Sequence, residues 1–288
     1  MKRVGNIIMF CMGLLLLSAC QTISITEKHF LYPDDSITQD QVDSWGRQQQ
    51  LEFIVIAAAD GTELKGALIT QVNARSTLIY FGGNQFRLES QGGELAKILS
   101  QFGNNLLIMD HRGYGMSQGS PTISALQTDA VDIYDYVKSD PNLGELPVII
   151  HGLSLGSMIA GRLAHQRPID GLVLEGSTTT AQGLIDAQVP WYAAPFIELS
   201  ISEKLANVDN LANIENYTGQ LLIMVGENDQ TTPVSLSESL YKQATTASKQ
   251  LVVVEGKGHG NAIKSEDFSA MYKAFVQSVI LAKASEAL

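Results

Sequence analysis

The segment of this chain best suited to chemistry is a serine set between two glycines, Gly152-Leu153-Ser154-Leu155-Gly156. A serine hydroxyl is a weak nucleophile until a base takes its proton. The G-x-S-x-G spacing serves that chemistry where a buried strand runs into a tight turn and a helix leaves at once. Pro147-Val148-Ile149-Ile150-His151 supplies the strand, and Ser157-Met158-Ile159-Ala160-Gly161-Arg162-Leu163-Ala164 supplies the helix. The glycines make room where backbones converge, and Ser154 is expected in a strained conformation at the C-terminal edge of a sheet. The same letters recur at Gly115-Met116-Ser117-Gln118-Gly119. There Asp110-His111-Arg112-Gly113-Tyr114 separates the serine from its strand and Ser120-Pro121 follows, so Ser117 reads as a turn residue.

The base should be a histidine oriented by a carboxylate, with the acid before the histidine in the chain. After Ser154 only His165 and His259 remain. His165 falls in the helix that leaves the turn. His259 lies in Gly256-Lys257-Gly258-His259-Gly260, a flexible loop after a strand, where a base can swing over the sheet edge. Leu221–Val225 leads into Gly226-Glu227-Asn228-Asp229-Gln230, which makes Asp229 the candidate acid and Glu227 the runner-up. A tetrahedral intermediate also needs amide donors. One is expected from Leu155, directly after the nucleophile. The other is expected from the loop after Thr77–Phe81, with Asn84 first and Gln85 second.

These residues must be positioned by a sheet. Short apolar runs at Thr77–Phe81, Leu106–Met109, Val148–Ile150, Leu172–Leu174, Leu221–Val225 and Leu251–Val254 suit strands covered on both faces. Helical spacing recurs between them, as in Ile123, Leu126, Ala130, Ile133 and Val137 after Ser120-Pro121, and in Phe268, Met271, Phe275 and Val279 after Glu266-Asp267. Before them, Leu51–Ala59 and Thr62–Thr70 flank Asp60-Gly61 and read as an antiparallel hairpin. The expectation is an α/β domain over 51–288, a mostly parallel twisted sheet with helices on both faces. Residues 177–219 are long enough for a small cap, and Val189–Ile197 within them is apolar enough to line an acyl pocket.

Composition narrows the partners. The 288 residues carry 19 Lys plus Arg against 30 Asp plus Glu, a net charge of −11. So acidic a surface repels phosphate backbones, which disfavours nucleic acid. The five histidines show no H-x-x-x-H spacing, and both cysteines, Cys11 and Cys20, lie in the first twenty residues, so no metal or cofactor is expected.

Those twenty residues read as a leader. Lys2-Arg3 precedes the apolar run Ile7–Leu17, shorter than a transmembrane helix and suited to the core of a signal peptide over 1–19. Leu17-Ser18-Ala19-Cys20 resembles the bacterial lipobox, in which the cysteine is acylated with palmitate-type chains and becomes the mature N-terminus. Gln21 after it resembles the outer-membrane sorting pattern, so the expected location is the bacterial envelope, at the outer membrane facing the periplasm. Residues 20–50 then read as a lipid-anchored tether with some local order. Without Lys2 and Arg3 the charge is −13, so lipid rather than charge would hold the protein to a membrane.

Taken together, Phe81-Gly82-Gly83-Asn84, Asp110–Ser117, His151–Gly156, Gly226-Glu227-Asn228-Asp229 and Gly258-His259 resemble the α/β-hydrolase superfamily, in the branch of small-capped esterases, monoacylglycerol lipases and serine aminopeptidase-like proteins. The resemblance covers about residues 50–285 and implies the α/β-hydrolase fold and a Ser154–His259–Asp229 triad. The implied activity is hydrolysis of small-molecule carboxylic esters or thioesters through an acyl-enzyme, with the oligomeric state left open. Relatives usually carry His-Gly where this chain has Gly82-Gly83. The loop at Asp110–Ser117 is structural in relatives, which implies that Arg112 braces the sheet edge. Peptide hydrolysis on the same fold, or a non-catalytic envelope lipoprotein, are the competing expectations. A dinucleotide site at Gly113-Tyr114-Gly115 fails because residue 118 is glutamine.

Overall fold

The computed structural model describes residues 21–33, 50–189 and 197–286. The leader, Cys20 and residues 190–196 of the apolar cap stretch lie outside the described residues.

Ten strands are described. β1 is Gln21–Ile25, β2 Leu51–Ala57, β3 Glu63–Ile69, β4 Ser76–Phe81 and β5 Asn104–Met109. β6 is Val148–Leu153, β7 Gly171–Glu175, β8 Ile197–Ile201, β9 Gln220–Gly226 and β10 Lys249–Val254. Eight of them form one sheet in the order β10-β9-β7-β6-β4-β5-β3-β2. β3 runs antiparallel to both β2 and β5, and the other pairings are parallel. The N-terminal hairpin is present, with Gly61 at φ +83° in its turn.

The apolar runs are continuous because each central strand serves two cores. Ile79 and Phe81 of β4, Leu107 and Met109 of β5, and Ile150 of β6 point into one cluster. Their alternates Leu78, Tyr80, Leu106, Ile108 and Ile149 point into the other. Side chains alternate along a strand, so a helix layer on each face demands apolar residues at every position. Burying one such aliphatic side chain contributes roughly 1.5–3 kcal/mol.

The helices follow the strands. α1 is Gly93–Leu99, α2 Ile123–Ser139, α3 Pro141–Gly144, α4 Leu155–Gln166 and α5 Ala181–Gln188. α6 is Glu203–Ala206, α7 Asn210–Glu215, α8 Val234–Gln243 and α9 Phe268–Glu286. α1 and α9 cover one face of the sheet, and α2, α4, α7 and α8 contribute to the core on the other. Two start signals sit differently from expectation. The cap of α2 is Thr122, whose hydroxyl accepts from the Ala125 amide at 3.1 Å, rather than Ser120-Pro121. Asp267 precedes α9 and its carbonyl accepts from Met271 N at 3.2 Å. Among the described residues no helix is long and apolar enough to cross a membrane.

Residues 21–33 are built into the fold. β1 pairs in parallel with β8 of the cap region, Leu31 is buried, and Glu27 accepts from the Ile123 amide at 2.7 Å. The local order expected in residues 20–50 is, over residues 21–33, a strand and a packed segment held by contacts with segments distant in the chain.

Candidate active site

The route of the chain around Ser154 is strand β6, one turn residue, then helix α4. Ser154 has φ 52° and ψ −111°, in the region that side chains avoid. Such a conformation costs on the order of 1–3 kcal/mol and persists only where the surroundings enforce it. Here Ser154 N–H donates to Glu175 O of β7 at 2.9 Å, and its carbonyl accepts from the Ser157 amide at 3.0 Å and from Ser157 Oγ at 2.5 Å. Gly156 and Gly152 complete the turn, since a methyl group on Gly156 would enter the Phe81 carbonyl and one on Gly152 the Gly156 backbone.

His259 stands in the loop after β10. Its Nδ1 lies 2.8 Å from Asp229 Oδ2, after β9. A carboxylate only accepts, so Nδ1 carries the proton of this bond. Asp229 is 5% exposed, and Oδ1 accepts from the Thr231 and Thr232 amides at 2.9 and 2.8 Å. Thr232 Oγ1 donates to Oδ2 at 2.8 Å. Burial pushes the Asp229 carboxyl up, but the hydrogen bonds from His259 and Thr232 outweigh it and hold the acid below the usual carboxylate range. Glu227, the runner-up, is exposed and accepts from the Gly256 amide at 2.9 Å, bracing the turn beyond β10.

Ser154 and His259 line one cavity of about 890 Å³. Among the described residues Ser154 Oγ has no protein hydrogen-bond partner, which leaves it open to the cavity. The histidine loop packs close by, with a methyl group on Gly260 falling 3.3 Å from the Leu153 side chain. Leu155 begins α4, where its amide has no carbonyl one turn back to bond. Gly83 faces Ser154, since a methyl group there would sit 3.6 Å from Ser154 Cβ, and Asn84 and Gln85 also line the cavity. The departure at Gly82 has a steric cause. Phe86 fills the space a side chain at 82 would need. His111 Nε2 lies 2.8 Å from Gly82 O instead. Burial pushes the His111 imidazole down to about 4, so the ring is neutral at pH 7 and donates from Nε2.

The remaining candidates are elsewhere. Ser117 is buried, donates to Asp110 O at 2.8 Å and accepts from the Lys65 amide at 2.8 Å, tying β3 to the loop after β5. His165 is exposed in the last turn of α4. Arg112 braces the sheet edge by reaching Asp60 at 2.5 Å and Asp129 at 2.5 Å, joining the hairpin turn to α2. Val189 lines the cavity beside Leu184 and Ile185 of α5.

Sequence reasoning missed Thr232 and Gly176. A carboxylate followed at two and three residues by amide donors is an Asx-type turn, and Asp229-Gln230-Thr231-Thr232 carried that signal. Gly176 left none beyond being a glycine after a strand.

The sheet order and the strand–serine–helix turn are those of the α/β-hydrolase fold. Residues 90–207 match the sequence profile of the family described as serine aminopeptidase, S33. Human Protein ABHD12B is 30% identical over 184 residues, covering 59% of this chain and 50% of that protein. A lysophosphatidylserine lipase of Xenopus tropicalis, ABHD12, is 28% identical over 246 residues, covering 79% of this chain and 60% of the lipase. The chain therefore spans half to three fifths of the length of these two relatives. An esterase of Pyrococcus furiosus superposes with a TM-score of 0.69 at 17% identity, covering 87% of this chain and 98% of the esterase, which is a likeness of fold.

Proposed function

We propose that this protein is a membrane-tethered serine hydrolase that cleaves carboxylic esters or thioesters of an acyl chain. The observation that carries the reading is the strained Ser154 on the same apolar cavity as a His259 ring already paired with a buried Asp229. Ser154 Oγ attacks the acyl carbonyl while His259 Nε2 takes its proton. Asp229 holds the ring and stabilises the imidazolium. The Leu155 and Asn84 amides receive the oxyanion. His259 returns the proton to the leaving alcohol or thiol. Water, deprotonated by the same nitrogen, then releases the acid and restores the serine. Hydrogen bonds of this kind tighten in the substrate complex, so an open Ser154 hydroxyl is compatible with the role.

The cavity favours an acyl chain over a peptide. Its walls are mainly aliphatic and aromatic, including Leu95, Ile98, Met158, Leu184, Ile185 and Ile263. An aminopeptidase must bind an ammonium group, and a free carboxylate is the natural partner. Among the described lining residues the acid is Glu94, already paired with Lys264 at 2.9 Å. The ester-cleaving relatives lend support, and the serine aminopeptidase profile keeps the peptide reading as the one to exclude.

Attachment through acylated Cys20, at a bacterial outer membrane facing the periplasm, rests on Leu17-Ser18-Ala19-Cys20 and the Gln21 that follows. The deciding experiment for the activity is a chain-length series of p-nitrophenyl acyl esters beside Ser154→Ala and a fluorophosphonate probe. Ester turnover and probe labelling, both lost in Ser154→Ala, are expected. An unlabelled wild-type protein would make this a binding module.

A further inference from the structure

The cavity has a wall that does not belong to the sheet, the cap helices or the loops around Ser154. Ile25, the last residue of β1, lines it together with Phe30 and Tyr32 of the segment that follows. This segment is not merely draped on the surface, because three side chains of the body fasten its backbone. Asn84 Nδ2 donates to Phe30 O, and Asn84 Oδ1 accepts from Tyr32 N at 3.2 Å. Tyr114 OH accepts from Tyr32 N at 3.0 Å and donates to Asn84 Oδ1 at 2.7 Å. Arg87 Nη2 donates to Tyr32 O at 2.9 Å, and its guanidinium lies 4.6 Å from the centre of the Tyr114 ring. Burial pushes the Tyr114 phenol up to about 12, so it keeps the proton it donates.

From this arrangement we infer that residues 25–32 are a specificity element of the acyl-chain site, and that Tyr114 and Arg87 are its clasp. The inference deepens the hydrolase reading and rests on it for the nature of the ligand, an amphiphile with one acyl chain. A polar clasp on main-chain atoms leaves the side chains of Ile25 and Phe30 free to face the cavity. A segment held by its backbone can thus present an apolar wall of fixed position, which a tether could not do. The clasp also runs through Asn84, the residue whose amide is assigned to the oxyanion, so the wall and the reacting carbonyl are referenced to the same loop.

The test separates binding from turnover and uses the full chain. Dansylated undecanoic acid, a fluorescent single-chain amphiphile, is titrated into wild type, Phe30→Ala, Tyr32→Ala, Tyr114→Phe and Ser154→Ala, with thermal unfolding recorded for each. Removing part of an apolar wall, or loosening it, should weaken binding about tenfold in Phe30→Ala and Tyr114→Phe. Tyr32 is half exposed, so Tyr32→Ala keeps the test open should Phe30→Ala unfold. Wild-type affinity in Tyr114→Phe and in the folded wall variants would overturn the inference, as would a wild type that does not bind the probe. Hydrolysis that survives in Ser154→Ala would instead sink the catalytic reading and leave the binding result standing.

Discussion

The amide of Ser154 donates to the carbonyl of Glu175 at 2.9 Å, pinning the serine turn to the end of the neighbouring strand β7. The next residue along that strand end, Gly176, meets the other half of the site. A methyl group there would lie 3.1 Å from His259 Cε1 and 3.3 Å from Asp229 Oδ2. Gly176 N–H donates in turn to Met224 O of β9 at 2.8 Å. One strand terminus thus fixes the serine turn relative to the histidine and its acid. Below it, the buried Glu175 carboxylate and Tyr272 hydroxyl each lie 3.1 Å from the His151 ring, in the second core.

Gly176 should therefore be intolerant of a side chain for a catalytic reason. Its φ of +50° is strained for alanine. Gly176→Ala should destabilise the fold by about 1 kcal/mol and lower kcat about a hundredfold by displacing the imidazole, with KM little changed. Steady-state kinetics on a short ester with a melting curve checks this, and wild-type kcat would refute the floor role.

The two G-x-S-x-G matches should separate in function. Ser154→Ala should lower kcat by about 10⁴–10⁶. Ser117→Ala should leave kcat nearly intact and cost about 1–3 kcal/mol of stability, because its partners are left unpaired in a buried loop. Ser154→Gly should be more stable than Ser154→Ala by about 1 kcal/mol, since only the glycine relieves the positive φ. Denaturant midpoints of the two variants measure that difference, and alanine as the more stable one would contradict the strain.

The choice between carboxylates is equally testable. Asp229→Asn should keep the fold and lower kcat about 10⁴-fold, the scale of the corresponding change in serine proteases. Glu227→Gln should leave kcat within about twofold, since its partner is the Gly256 amide. Reversed effects would move the acid to Glu227.

Stability against pH carries a signature of His111. Its folded pKa is depressed to about 4, so its contribution is complete above pH 6.5 and is lost as pH falls toward 4. Burial raises Asp110 to about 6, so its contribution is complete below pH 3.8 and is lost as pH rises toward 6. The two oppose each other across the same window. His111→Gln, which can still donate to Gly82 O, removes the first. The stability gap between variant and wild type should shrink on going from pH 7 to pH 4.5, by up to about 3 kcal/mol. Urea midpoints at the two pH values give the answer, and a gap that does not move with pH would reject the assignment.

Membrane attachment is tested apart from the chemistry. Cys20→Ser should release the protein to the soluble fraction with turnover of a soluble ester unchanged. Continued membrane fractionation would mean that acylation of this cysteine is not the sole anchor.

The sheet was legible because strands buried on both faces must be apolar throughout, and Leu106–Met109 or Leu221–Val225 can serve little else. The serine turn was legible because its strand, glycines and helix are contiguous, and local sterics alone select that order. His259 could be reached by elimination, since the chain offers few histidines after Ser154. What contiguous residues cannot encode was left to the folded chain: that Asp229 rather than Glu227 meets the imidazole, that Gly176 is the surface beneath it, and that residues 25–32 wall the cavity. Each of these is a contact between segments far apart in the chain. Its existence depends on strand order and loop direction, which follow from the packing of the whole molecule and not from the character of any one segment.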